Sequence, residues 1–407
     1  MVKSGASPRA EGASGIDYAR MMPLMFAVFV NIAGFSLILP LLPFYGPLFG
    51  AGPFEVALLF AAYSLGNVFG EIHWGRQSDK HGRRAVMIWT TAGAALTYVA
   101  FAFAPTLWLA IGIRVVNGFF GGTLSVAQGF LADASPPEKR AKAMGLFGSS
   151  FSLGFAFGPV LGGLLAGPGD SLADFRAPIL AAGGLCALTC LWSIAVLRNA
   201  REPLGKAAPL PRYSEGLSYV TGHPVLFRLF VISFFGIAAF ASMEAIYGLW
   251  SEANFGWTAR DLGFAFIAIG MGGLVVQLFF LQPLVTRFGE GRIIALGLAT
   301  LAASMLLQPI LREPVVAVGL MGLLMMGHSL AFPTAGALTS RTVPPGQQGS
   351  VMGLLMASNA FGRIVAPPAF GLIYELGHDL PWYSGAVMLA LVVPLALHLA
   401  RPAIPAR

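Results

Sequence analysis

The stretch from Gly145 to Gly163, GLFGSSFSLGFAFGPVLGG, decides how this chain is read. Glycine recurs in an apolar segment as G-x8-G-x3-G-P-x2-G-G, with Gly145, Gly154, Gly158, Gly162 and Gly163 at the marked positions and Pro159 in the middle. Ser150, Gly154, Gly158 and Gly162 are spaced by four and share one helix face, so a second helix can approach closely there, as small-xxx-small faces do in lipid. Pro159 bends that helix locally.

The composition places the segment in a membrane. Of 407 residues, 56% are hydrophobic and 11% charged, and mean hydropathy is +0.74, a balance foreign to soluble globular chains. Apolar runs able to cross ~30 Å of hydrocarbon are read at 21–46, 54–75, 84–104, 107–133, 141–167, 177–199, 224–250, 261–284, 292–311, 315–341, 349–374 and 383–401, twelve in all. Residues 1–20 are small and polar with no apolar core, so they are expected to be a short disordered tail and not a signal peptide.

The net charge of +7 sorts by side of the membrane. With the amino terminus inside, 20 of the 25 Lys and Arg fall in inner loops, tails or helix ends, and only Arg176, Arg260 and Arg312 fall outside. The outer loops carry acids instead, among them Glu55, Asp174, Asp261, Glu375 and Asp379. The basicity therefore follows the positive-inside rule and does not call for nucleic acid. Cys186 and Cys190, the only cysteines, lack companion ligands for a metal site and read as small packing residues.

The longest internal polar segment, 199–224, lies halfway along the chain. It divides a six-helix bundle at 21–199 from a second at 224–401, with 200–223 as a central loop and 402–407 as a tail. Shifted by 208, Met144-Gly145-Leu146 falls on Met352-Gly353-Leu354, Gly154 on Gly362, Pro159 on Pro367 and Gly163 on Gly371. A shift of 207 puts Lys80 and Gly82 on Arg287 and Gly289. The halves are internal copies, one of the recognised transporter plans.

Three motifs carry a family resemblance. The glycine pattern on the fifth span resembles the antiporter signature of drug:proton antiporters of the major facilitator superfamily. The loop GRQSDKHGRR, Gly75 to Arg84, is similar to that superfamily's loop signature between the second and third helices. R-V-V-N-G, Arg114 to Gly118, resembles its fourth-helix motif. The resemblance implies an all-α integral membrane protein with the major facilitator fold, twelve transmembrane helices in two pseudo-symmetric six-helix bundles. It also implies a gating network of Gly75, Asp79, Gly82, Arg83, Arg84 and Asp133, with Asp133 as the partner of Arg83, and a proton-transfer role for Arg114. Thr286 stands where Asp79 would recur, so the second copy of the network is expected to be degenerate. For Lys80 and Arg84 a solvated basic loop is an equal reading.

An intramembrane charge costs at least ~2.5 kcal/mol and marks a functional site by default. Few such charges occur here. Glu244, on a face with Ala241, Gly248 and Ser251, is the first choice for the proton site; a structural partnership with Arg114 or Arg363 is the alternative. Arg114 lies on the order of 10 Å from the outer surface at ~1.5 Å per residue. Arg363 occupies the repeat position of Phe155 and either orients an anionic group or pairs with an acid. Glu71, with His73, could serve a proton relay or simply sit at a wet helix end. In this superfamily helices one, four, seven and ten line the central cavity, which nominates Asn31, Tyr45, Asn117, Tyr247, Trp250 and His328. Where the resembling tetracycline exporters carry an acid on the first helix, this chain has Asn31, which points away from metal–tetracycline recognition.

The expectation is a proton-coupled exporter of small amphipathic compounds such as drugs, working by alternating access, with no enzyme activity. The energy source is the proton gradient and no cofactor; no Gly-x-x-x-x-Gly-Lys-Ser/Thr loop occurs. Its partners would be a small-molecule substrate, protons and the lipid bilayer of a bacterial inner membrane, with both termini cytoplasmic and a monomeric state. Export of one endogenous metabolite or siderophore, proton symport of a nutrient, and a transport-dead sensor are the other readings.

Overall fold

A computed structural model describes residues 18–122, 126–127, 140–196, 213–344 and 348–399. Twelve long helices run through it: α1 (Tyr18–Leu37), α2 (Pro53–His81), α3 (Arg83–Ala102), α4 (Leu107–Phe120), α5 (Arg140–Leu165) and α6 (Arg176–Val196) form one half. The other half holds α7 (Pro224–Phe255), α8 (Ala259–Phe288), α9 (Glu290–Leu307), α10 (Pro314–Thr342), α11 (Gln348–Leu376) and α12 (Leu380–Leu399). Ten of these are long and apolar enough to span a membrane; α4, described over 14 residues, and α11, over 29, complete the set.

Local chemistry sets the boundaries. Asp261 accepts from the Thr258 amide at 2.9 Å and from its hydroxyl at 2.7 Å, closing a capping box that starts α8. Gly82 (φ +86°) and Gly289 (φ +80°) end α2 and α8 in the left-handed region open to glycine, so the repeat positions share a turn as well as a residue type. Three segments differ from the sequence reading. The run at 21–46 breaks after Leu37 and resumes as a short turn, Leu42–Tyr45, because Pro40 and Pro43 lack the amides a continuous helix needs. The central loop contains a helix, Tyr213–Gly222, that packs on α11 and α7, and its Val220 is buried. A π-turn, Val276–Phe280, interrupts α8.

The packing repeats as the sequence does. Within the first half α1 meets α5 and α6, α2 meets α4, and α3 meets α6; within the second, α7 meets α11 and α12, α8 meets α10, and α9 meets α12. Between halves the seams are α5 on α8 and α11 on α2, again one pair under the same rotation. The correspondence extends to atoms. A β-carbon at Gly154 would stand 2.7 Å from the Phe29 carbonyl oxygen and 2.9 Å from Ile32; one at Gly362 would stand 3.3 Å from the Phe234 carbonyl oxygen and 3.0 Å from Ile237. At the seams, Gly163 would meet the Ala259 carbonyl at 2.8 Å and Gly371 the Pro53 carbonyl at 2.8 Å.

Gly158 is tighter still, since its β-carbon would collide with the Ser36 hydroxyl and the Ala33 carbonyl of α1. Gly158→Val should therefore lower the thermal midpoint of the purified protein sharply, by the ~1–3 kcal/mol or more of an overpacked core. Gly184→Ala, where nothing lies within 4 Å, should leave the midpoint unchanged.

Candidate functional site

The site is built on a glycine seam between α2 and α4. A β-carbon at Gly66 or Gly70 would collide with the Val115 or Phe119 carbonyl, and one at Gly118 with the Tyr63 carbonyl. That closeness lays the Arg114 guanidinium over the Tyr63 ring, 4.9 Å from its centroid, a cation–π contact strengthened by burial. Arg114 is 1% exposed. Its Nε donates to the Leu59 carbonyl at 3.2 Å, while Nη1 has no hydrogen-bond partner among the described residues.

The next residues along α2, Asn67 and Glu71, stand one and two turns from Tyr63 and continue the same face. They open with Arg114 onto a cavity of about 220 Å³ between the halves. The first half contributes Asn31, Phe35, Tyr63, Phe151 and Phe155 to its wall; the second contributes Ala241, Glu244, Ala360, Arg363 and Pro367. Arg363 Nη1 lies 3.6 Å from Glu244 Oε2, and the two side chains are 36% and 6% exposed. Glu244 and Arg114 thus face one cavity, and the acid's partner is Arg363.

Other nominated residues lie elsewhere. Asn117 points into the first half, where its amide donates to Thr97 Oγ1 at 2.7 Å. Tyr247 and Trp250 are buried in an aromatic cluster with Trp257 and Trp382, and Trp250 Nε1 donates to Asp379 at 2.9 Å. Tyr45 is likewise buried, its hydroxyl bonded to the Phe101 carbonyl at 3.2 Å. His328 is held between Phe240 and Phe332, with centroids 4.3 and 4.2 Å away. None of these five lines the cavity. His73 faces outward, because residues two apart on a helix do not share a side.

In the loop motif, Gly75 has open space around it, Arg83 donates to Ser78 Oγ, and Arg84 Nη2 donates to the Ile194 carbonyl at 2.6 Å. Arg84 thereby caps α6, where a cation suits the exposed carbonyls. The side chain of Asp79 and the whole of Asp133 lie outside the described residues; Gly145 is on α5. The residues missed by sequence reading are Tyr63, Ser64 and Asn67. For Tyr63 and Asn67 the signal was the polar spacing of four that continues to Glu71 on an otherwise apolar helix.

A sequence profile of the Major Facilitator Superfamily matches residues 24–277 and 246–407. The chain belongs to this superfamily. Among its members, the class C tetracycline resistance protein of Escherichia coli is 28% identical over 393 residues, covering 92% of this chain and 95% of the relative. Multidrug resistance protein 2 of Bacillus subtilis is 24% identical over 376 residues, covering 90% and 92%. Among solved structures, the human organic anion transporter MFSD10 matches with a TM-score of 0.69 at 23% identity, covering 94% of this chain and all of that one. A bacterial homologue of the human lysosomal transporter Spinster matches with a TM-score of 0.75 at 13% identity, covering 96% and 97%. These likenesses establish the major facilitator fold, and the superfamily membership makes this a multi-pass membrane transporter of small molecules.

The placement is directly checkable by thiol labelling with Cys186 and Cys190 replaced by alanine. Cysteine at Ser64 or Asn67 should react with a hydrophilic maleimide in the folded protein. Cysteine at Asn117 or Tyr247 should react only after denaturation.

Proposed function

We propose that this transporter is a proton-coupled antiporter that exports small amphipathic compounds across the bacterial inner membrane by alternating access. The observation that carries the reading is Glu244, a carboxyl with a 6% exposed side chain and one cation at 3.6 Å, at the wall of a cavity between the halves. A carboxyl so placed can hold a proton or a ligand's cationic group, and the two compete. The similarity along most of the chain to tetracycline and multidrug resistance proteins supports export over import, and their bacterial origin supports the inner membrane.

In this reading Glu244 carries the proton, Arg363 sets its charge balance, and Glu71 and Arg114 complete the pathway from the first half. The loop residues Asp79 and Arg83, with Asp133, control opening on the cytoplasmic side, where both termini lie. The protein acts as a monomer and uses no cofactor. One proton moving down ~100 mV and one pH unit supplies ~2.3 kcal/mol plus ~1.4 kcal/mol, enough for a substrate gradient of a few hundredfold at ~1.4 kcal/mol per decade.

The test is dye accumulation in pump-deficient bacteria, using fluorescent amphipathic dyes that are cationic, zwitterionic and anionic. Cells expressing the protein should exclude at least one dye class, a protonophore should abolish the exclusion, and Glu244→Gln at matched expression should accumulate dye like the empty vector. Exclusion that survives the protonophore would remove proton coupling. Full exclusion by Glu244→Gln would remove that carboxyl from the proton path.

A further inference from the structure

We propose that the compound this cavity takes is a compact aromatic zwitterion, a flat ring bearing both a cationic and an anionic group. The proposal rests on the reading of the cavity as the transport site. Two guanidiniums, Arg114 and Arg363, and two carboxyls, Glu71 and Glu244, line it, so the formal charges of its wall cancel. A ligand with net charge would leave one wall charge uncompensated away from water, where an unpaired ion is strongly disfavoured. A zwitterion leaves the sum unchanged.

The hydrogen-bonding capacity points the same way. Arg363 and Glu244 attract each other across 3.6 Å but are too far apart for the ~2.7–2.9 Å of a charge-assisted hydrogen bond. Arg114 Nη1 is buried and has no hydrogen-bond partner among the described residues. An ammonium seated on Glu244 and an anionic group seated on a guanidinium gain bonds that the wall does not supply to itself. Arg363, 36% exposed against 6% for Glu244, is the group an entering anion meets first.

The opposite wall suits a ring. Phe151 and Phe155 lie 14° from parallel with centroids 6.1 Å apart, and Phe35 and Tyr63 lie 4.7 Å apart at 35°. These aromatics belong to the first half, beside Arg114 and Glu71, whereas Glu244 and Arg363 belong to the second, so a ring seated on the first wall can present its charged groups to the pair on the second. The volume of about 220 Å³ is below the ~300–1,000 Å³ of drug-sized sites and fits one or two rings. A proton on Glu244 would cancel the charge that holds the ammonium, so proton and ligand exclude each other. Arg363 on α11, Arg114 on α4, and Tyr63 and Glu71 on α2 are the other charged or titratable groups facing that space.

The experiment is calorimetric titration of the full-length protein in lipid nanodiscs with para-aminomethyl benzoate, with its methyl ester as the cation alone, and with its N-acetyl form as the anion alone. The zwitterion should bind about tenfold tighter than either analogue, the scale of one hydrogen bond to a charged group. Glu244→Gln should close the gap to the N-acetyl form, and Arg363→Gln should close the gap to the ester. Glu244→Asp and Arg363→Lys, which keep the charges, should preserve the preference. Equal binding of the three, tighter binding of either analogue, or no binding by any would overturn the proposal, and the wild-type ratios decide it even where a variant fails to fold. No gradient enters this measurement. Its failure therefore leaves proton-driven export standing, while loss of protonophore-sensitive export with the preference intact would remove only the antiport reading.

Discussion

The arrangement depends on how closely α5 lies against its neighbours. Along one face, Gly154, Gly158 and Gly162 leave no space for a β-carbon between α5 and α1. Along another, a β-carbon at Gly263 or Gly270 of α8 would meet the Pro159 carbonyl or the Ala156 side chain. One helix therefore holds a half together and forms the seam between halves. In a bilayer, where lipid is as apolar as leucine, such backbone proximity replaces the hydrophobic drive that packs soluble cores. Glycine is needed on both faces because one face must stay fixed and the other must fit a partner across the seam. The second seam, Gly371 against the start of α2, has the same geometry.

Pseudo-symmetry makes the departures from it informative. Gly154 and Gly362 meet equivalent atoms 205 residues apart on α1 and α7. By the same offset Leu39, just past the end of α1, corresponds in sequence to Glu244, and the shift of 208 pairs Phe155 with Arg363; all four line the cavity. The scaffold is duplicated while the cavity is not. One wall presents rings, amides and the charges of Arg114 and Glu71, the other an ion pair among small residues, and this asymmetry would give a ligand of the proposed kind one orientation in a symmetric bundle.

Much of this was legible in the sequence. The apolar runs, the glycine spacing and the shift of 208 fixed the twelve helices and their duplication, because each reflects a requirement of the bilayer or of close packing. The charges at Glu244, Arg114 and Arg363 stood out because so few others lie within spans. The failures share one cause. Residue type and helix number nominate Tyr45, Asn117, Tyr247, Trp250 and His328, but which face of a helix meets the cavity depends on its rotation. The polar spacing of Tyr63, Asn67 and Glu71 carried that rotational information for α2. In α4 and α7, mostly apolar around their circumference, nothing comparable marked a face.

The division of charge between the halves bears on how such a cavity could open alternately. Arg114 and Glu71 belong to the first half, Arg363 and Glu244 to the second, so each half brings one charge of either sign to the cavity. Halves that rock apart then separate no net charge, and the 3.6 Å pair travels within one rigid unit. Had the partner of Glu244 been Arg114, every opening would have broken an ion pair across the seam, at the several kcal/mol that stranding a buried charge demands. Under the proposed mechanism, with Arg363 as the partner the pair would respond chiefly to what enters the cavity, a proton or a ligand, and very little to the motion itself. In the proposed alternating access, that separation would let occupancy bias the direction of opening without making the opening itself prohibitive.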